Sequence, residues 1–442
     1  MKQTPVYGII YNEMKNEIKK IILEWQTHRV ENVVKRKDSL VFSEEINTVI
    51  GLRRSGKTYF LFSEINSLIQ NGTPPNQIVY INFDDERLAE LEGKQLQWII
   101  EAYYELYPGN ADKKIYLFFD EIQNIANWHL FIKRLYEQKK YHIVITGSSA
   151  RLLSKEIATE LRGRSLTIKF FPLNFIEFLD FKNFSIIDNI EFSQERFQLI
   201  NYAAEFLIYG GFPRVTMEPS HQRKKDLLND YLDMIIFKDI VERYDVRNTH
   251  LLRAIIHYLL ANFAAEFSIT NFIKKFQKEY QPNKVTAFNY FSYLEDVSFF
   301  HYLPLFSYKI HQRYVNKKVY IGDNGFILLL SFRGMEVHGR LLENLIFTEL
   351  LKRGKNLFYF KDAQNFECDF IITEEEKATA AIQVTYNLNR DNSERELRGL
   401  KGALKELGLE KGTIITADTE DEIIDGNYHI SIIPYWKWMI SH

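Results

Sequence analysis

The residues best suited to chemistry lie together in Gly51-Leu52-Arg53-Arg54-Ser55-Gly56-Lys57-Thr58. Two glycines bracket four residues, and Lys and Thr follow, which is the spacing of a phosphate loop. In such a loop the backbone N–H groups turn inward around phosphate oxygens. Gly51 and Gly56 reach backbone conformations that cost residues with a Cβ more. Lys57 would reach the β- and γ-phosphates of a nucleotide, and the Thr58 hydroxyl would hold Mg²⁺. Arg53, Arg54 and Ser55 are the other candidate contacts within the loop. A chance match would lack the apolar strand before it, Asn47–Ile50, and the apolar helix after it, Thr58–Gln70.

A second constellation is Asp120-Glu121, which follows the apolar run Ile115-Tyr116-Leu117-Phe118-Phe119. An acid ending a buried strand beside a phosphate loop suits metal support by Asp120 and polarisation of an attacking water by Glu121. The other reading of such an acid is a solvated strand end or a helix cap. Ser148, at the tip of the strand His142–Thr146, is a candidate γ-phosphate sensor, with Thr146 or Ser149 as substitutes. An ordinary turn serine is its equal alternative.

These residues need a scaffold that gathers strand ends. Strand-like runs at 47–50, 78–83, 115–119 and 142–146 alternate with helical segments, and their near-continuous apolar character predicts a parallel sheet covered on both faces. The fold class expected is therefore α/β. Ligands of such sheets bind beyond the carboxyl ends of the strands, where Asp84, Asp120, Glu121, Ser148 and the loop all fall. Upstream, Met14, Ile18, Ile21, Ile22 and Trp25 recur at helical spacing and predict an amphipathic helix. Lys35-Arg36-Lys37 reads as a solvated turn.

Composition sets outer bounds. A chain of 442 residues, 46% hydrophobic and 26% charged, has room for several domains with their own cores. With a net charge of -2, any nucleic-acid contact has to come from a local patch. The single cysteine excludes an intrachain disulfide and a Cys-rich zinc site, and it fits a reducing cytoplasm. The first residues lack the apolar run of a signal peptide, and no run of about 18 apolar residues predicts a membrane span.

In order along the chain, the phosphate loop, Leu117–Gln123, Thr146-Gly147-Ser148-Ser149, Leu161-Arg162-Gly163-Arg164, Phe171–Phe178 and Tyr209-Gly210-Gly211-Phe212-Pro213 resemble a group of prokaryotic AAA+-type ATPases related to archaeal ATPases and to the signal-transducing STAND group. The resemblance implies an ATP-dependent machine or switch, with ATP and Mg²⁺ as its cofactors. It also implies that Arg162 or Arg164 reaches a γ-phosphate as a finger, within one chain or across the boundary of a homo-oligomer. The plainer reading is a surface arginine paired with Glu156 or Glu160. By the same resemblance, Pro213 belongs to an element that packs on the nucleotide base, and Arg214 is a candidate sensor. Here the alternative is a Gly-Gly turn ending a helix.

Residues 221–263 predict long helices, and residues 268–322 suggest a winged helix. Lys274, Lys275, Lys278, Lys284, Lys309, Arg313, Lys317 and Lys318 could supply DNA phosphate contacts there. Few long polar side chains lie on its reading helix, which leaves a protein-facing or nucleotide-covering role equally open. Further on, Glu343 on a helix, Asp369 on a strand and Gln383 on the next strand resemble the PD-(D/E)xK nuclease order. Gln383 stands where that order needs an acid, and Thr385 where it needs lysine; Lys361 is a candidate stand-in. The expectation is a nuclease-like fold that has lost catalysis and binds a partner or nucleic acid.

The domain plan is an N-terminal helical segment (1–44), an ATPase core (45–180), a helical lid (181–263), a winged-helix region (264–335) and a nuclease-like domain (336–442). The expected function is ATP binding and hydrolysis coupled to a protein client or DNA. The competing readings are an ATP-dependent metal nuclease, a DNA-binding regulator and a slow nucleotide-gated scaffold.

Overall fold

The computed structural model describes residues 4–148, 163–307, 309, 313, 317–329, 335–390 and 392–441. They fall into two compact units, Met1–Phe170 and Phe171–His442. Among the described residues no helix is long and apolar enough to cross a membrane.

The first unit is built on five parallel strands, β1 (Ile46–Ile50), β2 (Ile78–Asn82), β3 (Ile115–Asp120), β4 (Tyr141–Gly147) and β5 (Ser165–Lys169). Their spatial order is β2-β3-β4-β1-β5. Successive strand side chains alternate between faces, so each face gathers its own core. Ile115, Leu117 and Phe119 join Val79, Ile81, Ile143 and Ile145 on one side. Phe118, Tyr80, Val49 and Val144 lie on the other, under Phe60, Leu61 and Ile65 of the helix Lys57–Gln70. The helix Thr4–Thr27 adds Ile18, Ile21 and Ile22 to the first core. It is thus part of this unit's packing.

The edge strand β5 has no counterpart in the apolar pattern. Its Ser-Leu-Thr-Ile-Lys sequence is half exposed, as suits a strand with one neighbour. The compact unit ends at Phe170. Phe175 and Phe178 instead pack on Phe206 of the second unit, where Asn174 and Glu177 form a reciprocal cap for the helix Phe175–Phe181.

The second unit begins with helices Phe175–Phe181, Glu195–Tyr209, Pro213–Met217 and His221–Met234, the last continuing as a π-helix over Ile235–Glu242. The helix Thr249–Ala261 precedes β6 (Ala265–Phe267), the helices Ile269–Lys275 and Lys284–Asp296, then β7 (Phe300–Pro304) and β8 (Lys317–Ile321). These strands form a small antiparallel sheet in the order β6-β8-β7. After the helix Met335–Lys352 comes a mixed six-stranded sheet of β9 (Asn356–Lys361), β10 (Glu367–Glu374), β11 (Lys377–Val384), β12 (Lys411–Thr416), β13 (Asp421–Asp425) and β14 (Tyr428–Pro434). Its order is β13-β14-β12-β11-β10-β9. The helix Ser393–Leu407 packs Leu400, Ala403 and Leu404 into its core.

Two glycines explain the chain path at the Gly-Gly-Phe-Pro stretch. Gly210 has φ +71°, and a Cβ there would lie 1.7 Å from Asp323 Oδ1. A Cβ on Gly211 would lie 2.2 Å from the Leu173 carbonyl oxygen. The Asp323 carboxylate accepts hydrogen bonds from Gly211 N at 2.8 Å and Gly325 N at 2.9 Å. Full burial nonetheless pushes its pKa up to about 6.

A pH dependence follows from that shift. The native carboxyl holds a proton between about pH 4 and 6, where an unfolded aspartate has lost it. This group therefore favours the fold at acidic pH, and its contribution fades as pH rises through about 6, by up to about 3 kcal/mol. Denaturant melts of Asp323→Asn and the parent across pH 4–7 should show a pH slope in the parent that the variant lacks.

Candidate functional sites

The nucleotide-type site is assembled by the carboxyl ends of β1, β3 and β4. The loop after β1 turns through Arg54 at φ 67° and Gly56 at φ 100° and delivers Lys57 and Thr58 to the start of a helix. Thr58 Oγ1 donates to Asp120 Oδ2 at 2.7 Å. Thr146 also donates to Asp120, and Tyr80 OH does so at 3.0 Å. Lys57 Nζ donates to the Gly51 and Leu52 carbonyls at 3.2 and 3.3 Å and lies 3.6 Å from Glu121 Oε1. Glu121 adopts φ 53°; its N–H donates to Thr146 Oγ1, and its Oε2 accepts from Gln123 Nε2 at 2.5 Å. Burial, and then the neighbouring Glu121, raise the Asp120 pKa, against the pull of the Thr146 and Thr58 hydroxyls. Burial and the adjacent Asp120 likewise raise the pKa of Tyr80.

These donors suit a magnesium nucleotide. Ser55 Oγ is buried with no hydrogen-bond partner among the described residues, an orphan that a phosphate oxygen would satisfy. An ammonium, a hydroxyl and two carboxylates lie side by side, which is the donor set of phosphoryl transfer.

Gly51 is required by close approach, since a Cβ there would stand 1.8 Å from the Phe170 carbonyl oxygen. Gly51→Ala must therefore displace the loop or the strand exit. The expected cost is about 1–3 kcal/mol of stability, together with weakened binding of a fluorescent ATP analogue. An unchanged titration would show that the loop tolerates the shift.

The other sequence candidates are more widely spread. Arg53 lies 3.8 Å from Asp84 at the end of β2, Arg54 is exposed, and Ser148 is buried just beyond β4. Arg164 is corrected as a same-chain finger. It precedes β5, its carbonyl accepts from Ile46 N, and its guanidinium lies 5.8 Å from the Tyr136 ring. Ser165 pairs with Ile46 and Lys169 with Ile50. Arg164 is thus at the amino end of the sheet, about 16 Å of strand from the loop. Arg162, Ser149, Glu156 and Glu160 lie outside the described residues. Pro213 and Arg214 open a short helix of the second unit. Arg36 is not solvated: it is buried, donates to the Ser55 carbonyl at 3.1 Å and stacks 4.3 Å from the Phe170 ring.

A second polar centre lies within the second unit. Glu343, Asp369 and Gln383 are all buried and line a cavity of about 720 Å³ with Glu367, Glu396 and Arg395. Lys318 joins them. It is 2% exposed, so the expectation of a phosphate contact on DNA is corrected for this residue. Its Nζ lies 2.9 Å from Glu343 Oε1 and 3.1 Å from Asp369 Oδ1, and it pairs with Glu367. Tyr320 OH donates to Glu343 Oε1 at 2.6 Å. Burial alone would lower the Lys318 pKa, but Glu343 and the acids around it raise it. Burial and then Glu343 raise that of Asp369. Lys361 pairs with Glu266 at 3.0 Å and with Glu367 at 3.7 Å. Cys368, beside Asp369, is fully buried with its pKa raised by burial, which makes it an inert thiol.

The sequence reading missed Arg36, Tyr80, Gln123, Lys318 and Tyr320 as site residues. One signal was present: Lys318 and Tyr320 sit two apart on a strand, hence on one face.

Comparison with known proteins agrees with this geometry. An AAA domain family matches residues 43–179, and two domains described only as of unknown function match 201–336 and 338–438. An uncharacterized protein of Methanocaldococcus jannaschii is 38% identical over 411 residues, which covers 90% of this chain and 89% of that protein. An uncharacterized protein of Haemophilus influenzae is 32% identical over 360 residues, 79% of this chain and 85% of that one. Among solved structures, a Walker-type ATPase of Pyrococcus abyssi covers 72% of this chain and 95% of its own at 13% identity and TM-score 0.41. The Aeropyrum pernix ORC1 protein in complex with DNA covers 77% of this chain and 93% of its own at 11% identity and TM-score 0.31. Both structural likenesses are too slight to add to the sequence relationship. The chain belongs to the family of these archaeal and bacterial proteins, and its N-terminal part is an AAA-type ATPase domain.

Proposed function

We propose that the chain binds and hydrolyses ATP between the phosphate loop and the acid-tipped β3, and that its nucleotide state controls binding of a partner by the second unit. The observation that carries this reading is the 2.7 Å contact of Thr58 with Asp120 beside Lys57 and Glu121. Thr58 and Asp120 would hold Mg²⁺, which supplies charge neutralisation on the β- and γ-phosphates. Lys57 would leave the Gly51 and Leu52 carbonyls for those phosphates, and the loop amides from Gly51 to Gly56 would surround them. Glu121 would take a proton from the attacking water. Equilibrium dialysis of labelled ATP with Mg²⁺ tests the site: Lys57→Ala should lose binding, and retained affinity would remove the assignment.

For the second unit, the order helix, β6, two helices, β7, β8 favours a winged helix. Its helix Lys284–Asp296 exposes Val285 and Phe288, which favours a protein-facing surface over a DNA-reading one. A gel shift whose affinity falls steeply with salt would reverse that preference. The order helix, β9, β10, β11, helix, β12 favours a nuclease-derived domain. Gln383 and Thr385 leave it without the acid and lysine of hydrolysis, so it is read as a binding domain. Plasmid cleavage with Mn²⁺ that is abolished by Asp369→Ala would make it an enzyme. A finger from Arg164 would require a neighbouring copy, so solution mass with and without an ATP analogue tests a homo-oligomer.

A further inference from the structure

We propose that Lys318 is a tethered cation standing where a divalent metal would sit among Glu343, Glu367 and Asp369, and that it clasps the three-stranded sheet to the six-stranded one without metal. The proposal rests on the nuclease-derived reading only for the choice of metal, and it is independent of the nucleotide site.

Three carboxylates from two elements converge on a single ammonium. Carboxylate oxygens are what a hard divalent cation takes, yet with Lys318 in place no group of three acidic, histidine or cysteine side chains among the described residues is set to hold one. The oxygens are already engaged. Glu343 Oε1 also accepts from Tyr320, Asp369 Oδ2 accepts from Val384 N at 2.9 Å, and Gln383 Oε1 faces Asp369 N at 3.3 Å. Gln383 Nε2 donates to Glu396 at 2.6 Å. A metal entering through the cavity would have to expel Lys318 from among these acids.

A second, independent pattern identifies the centre as a joint. Glu266 and Lys318 are direct partners across β6 and β8. Lys361 and Glu367 are direct partners across β9 and β10. The two pairs face each other with opposite charges matched: Lys318 meets Glu367, and Lys361 meets Glu266 at 3.0 Å. Tyr359 OH adds a hydrogen bond to Glu266 at 2.8 Å. Four charges on four strands are thus linked by three ion pairs, with Glu266 and Lys318 joined by cross-strand pairing, and Glu343 and Asp369 complete the shell around Lys318.

Mn²⁺ binding, read by electron paramagnetic resonance, tests the proposal. The full chain would carry Asp120→Asn throughout, so that the nucleotide site contributes no metal. The parent should bind no Mn²⁺ that Asp369→Asn removes, and Mn²⁺ should leave its melting temperature unchanged against EDTA. Lys318→Met should gain one Mn²⁺ per chain, lost again in Lys318→Met/Asp369→Asn. Mn²⁺ binding by the parent that depends on Asp369, or a parent melting temperature raised by Mn²⁺, would overturn the proposal whether or not the Lys318 variant folds. A folded Lys318→Met that takes up no Mn²⁺ would overturn it as well. None of these outcomes depends on ATP binding, so loss of the nucleotide reading would leave the result intact.

Discussion

Glu121→Gln will lower ATP turnover by about 10²–10⁴-fold while leaving ATP bound. The substitution keeps the shape of the side chain while removing its capacity to accept a proton and the charge that faces Lys57 at 3.6 Å. Its backbone position is fixed independently: the N–H is taken by Thr146 Oγ1 at 3.0 Å, and the residue keeps φ 53°. The other contributors, Lys57, Thr58 and Asp120, are untouched, so affinity should persist. Phosphate release measured beside titration of a fluorescent ATP analogue separates the two properties. Unchanged turnover with unchanged binding would assign the base elsewhere. Equal loss of both would mean that Glu121 holds the site together and does no proton transfer.

Lys318→Met should destabilise the second unit by about 3–5 kcal/mol, the usual cost of removing one partner from a buried ion cluster. Methionine fills much of the volume of the lysine stem, so the loss comes from charge and not from a cavity. Glu343 and Asp369, both buried, would face each other without a cation while Glu367 kept only Lys361 at 3.7 Å, and the buried pair would have to take up protons to remain inside. At roughly 2–4 °C per kcal/mol for large units, the melting temperature should fall by about 10 °C. Acid pH should narrow the gap, because protonated carboxyls no longer repel. Calorimetry of the two proteins at neutral and acidic pH reads both effects, and a variant as stable as the parent would show that the acids do not need the lysine.

The phosphate loop and Asp120-Glu121 could be read from sequence because their chemistry fixes residue types at fixed spacing, with a strand before and a helix or turn after. Local order suffices for such sites. Arg164 misled because β5 is a short, half-exposed edge strand that leaves no apolar run. Without it, the sequence does not say which end of the sheet the arginine occupies. Lys318 misled for a different reason. Its neighbours Lys309, Arg313 and Lys317 make it look like one member of a basic surface, yet its partners stand 25 and 51 residues away. Burial decided its role, and burial is a property of the tertiary fold. Gly210 and Gly211 were legible as a turn, but the carboxylate that crowds one of them sits 112 residues from the amide of the other.

Phe170 is the last residue of the first unit. Its N–H donates to the Ile50 carbonyl at 2.6 Å, and its own carbonyl presses on Gly51. The polypeptide therefore departs for the second unit from the root of the phosphate loop itself. Any shift of that root therefore strains the Ile50–Phe170 hydrogen bond, which holds the chain at the last residue of the first unit.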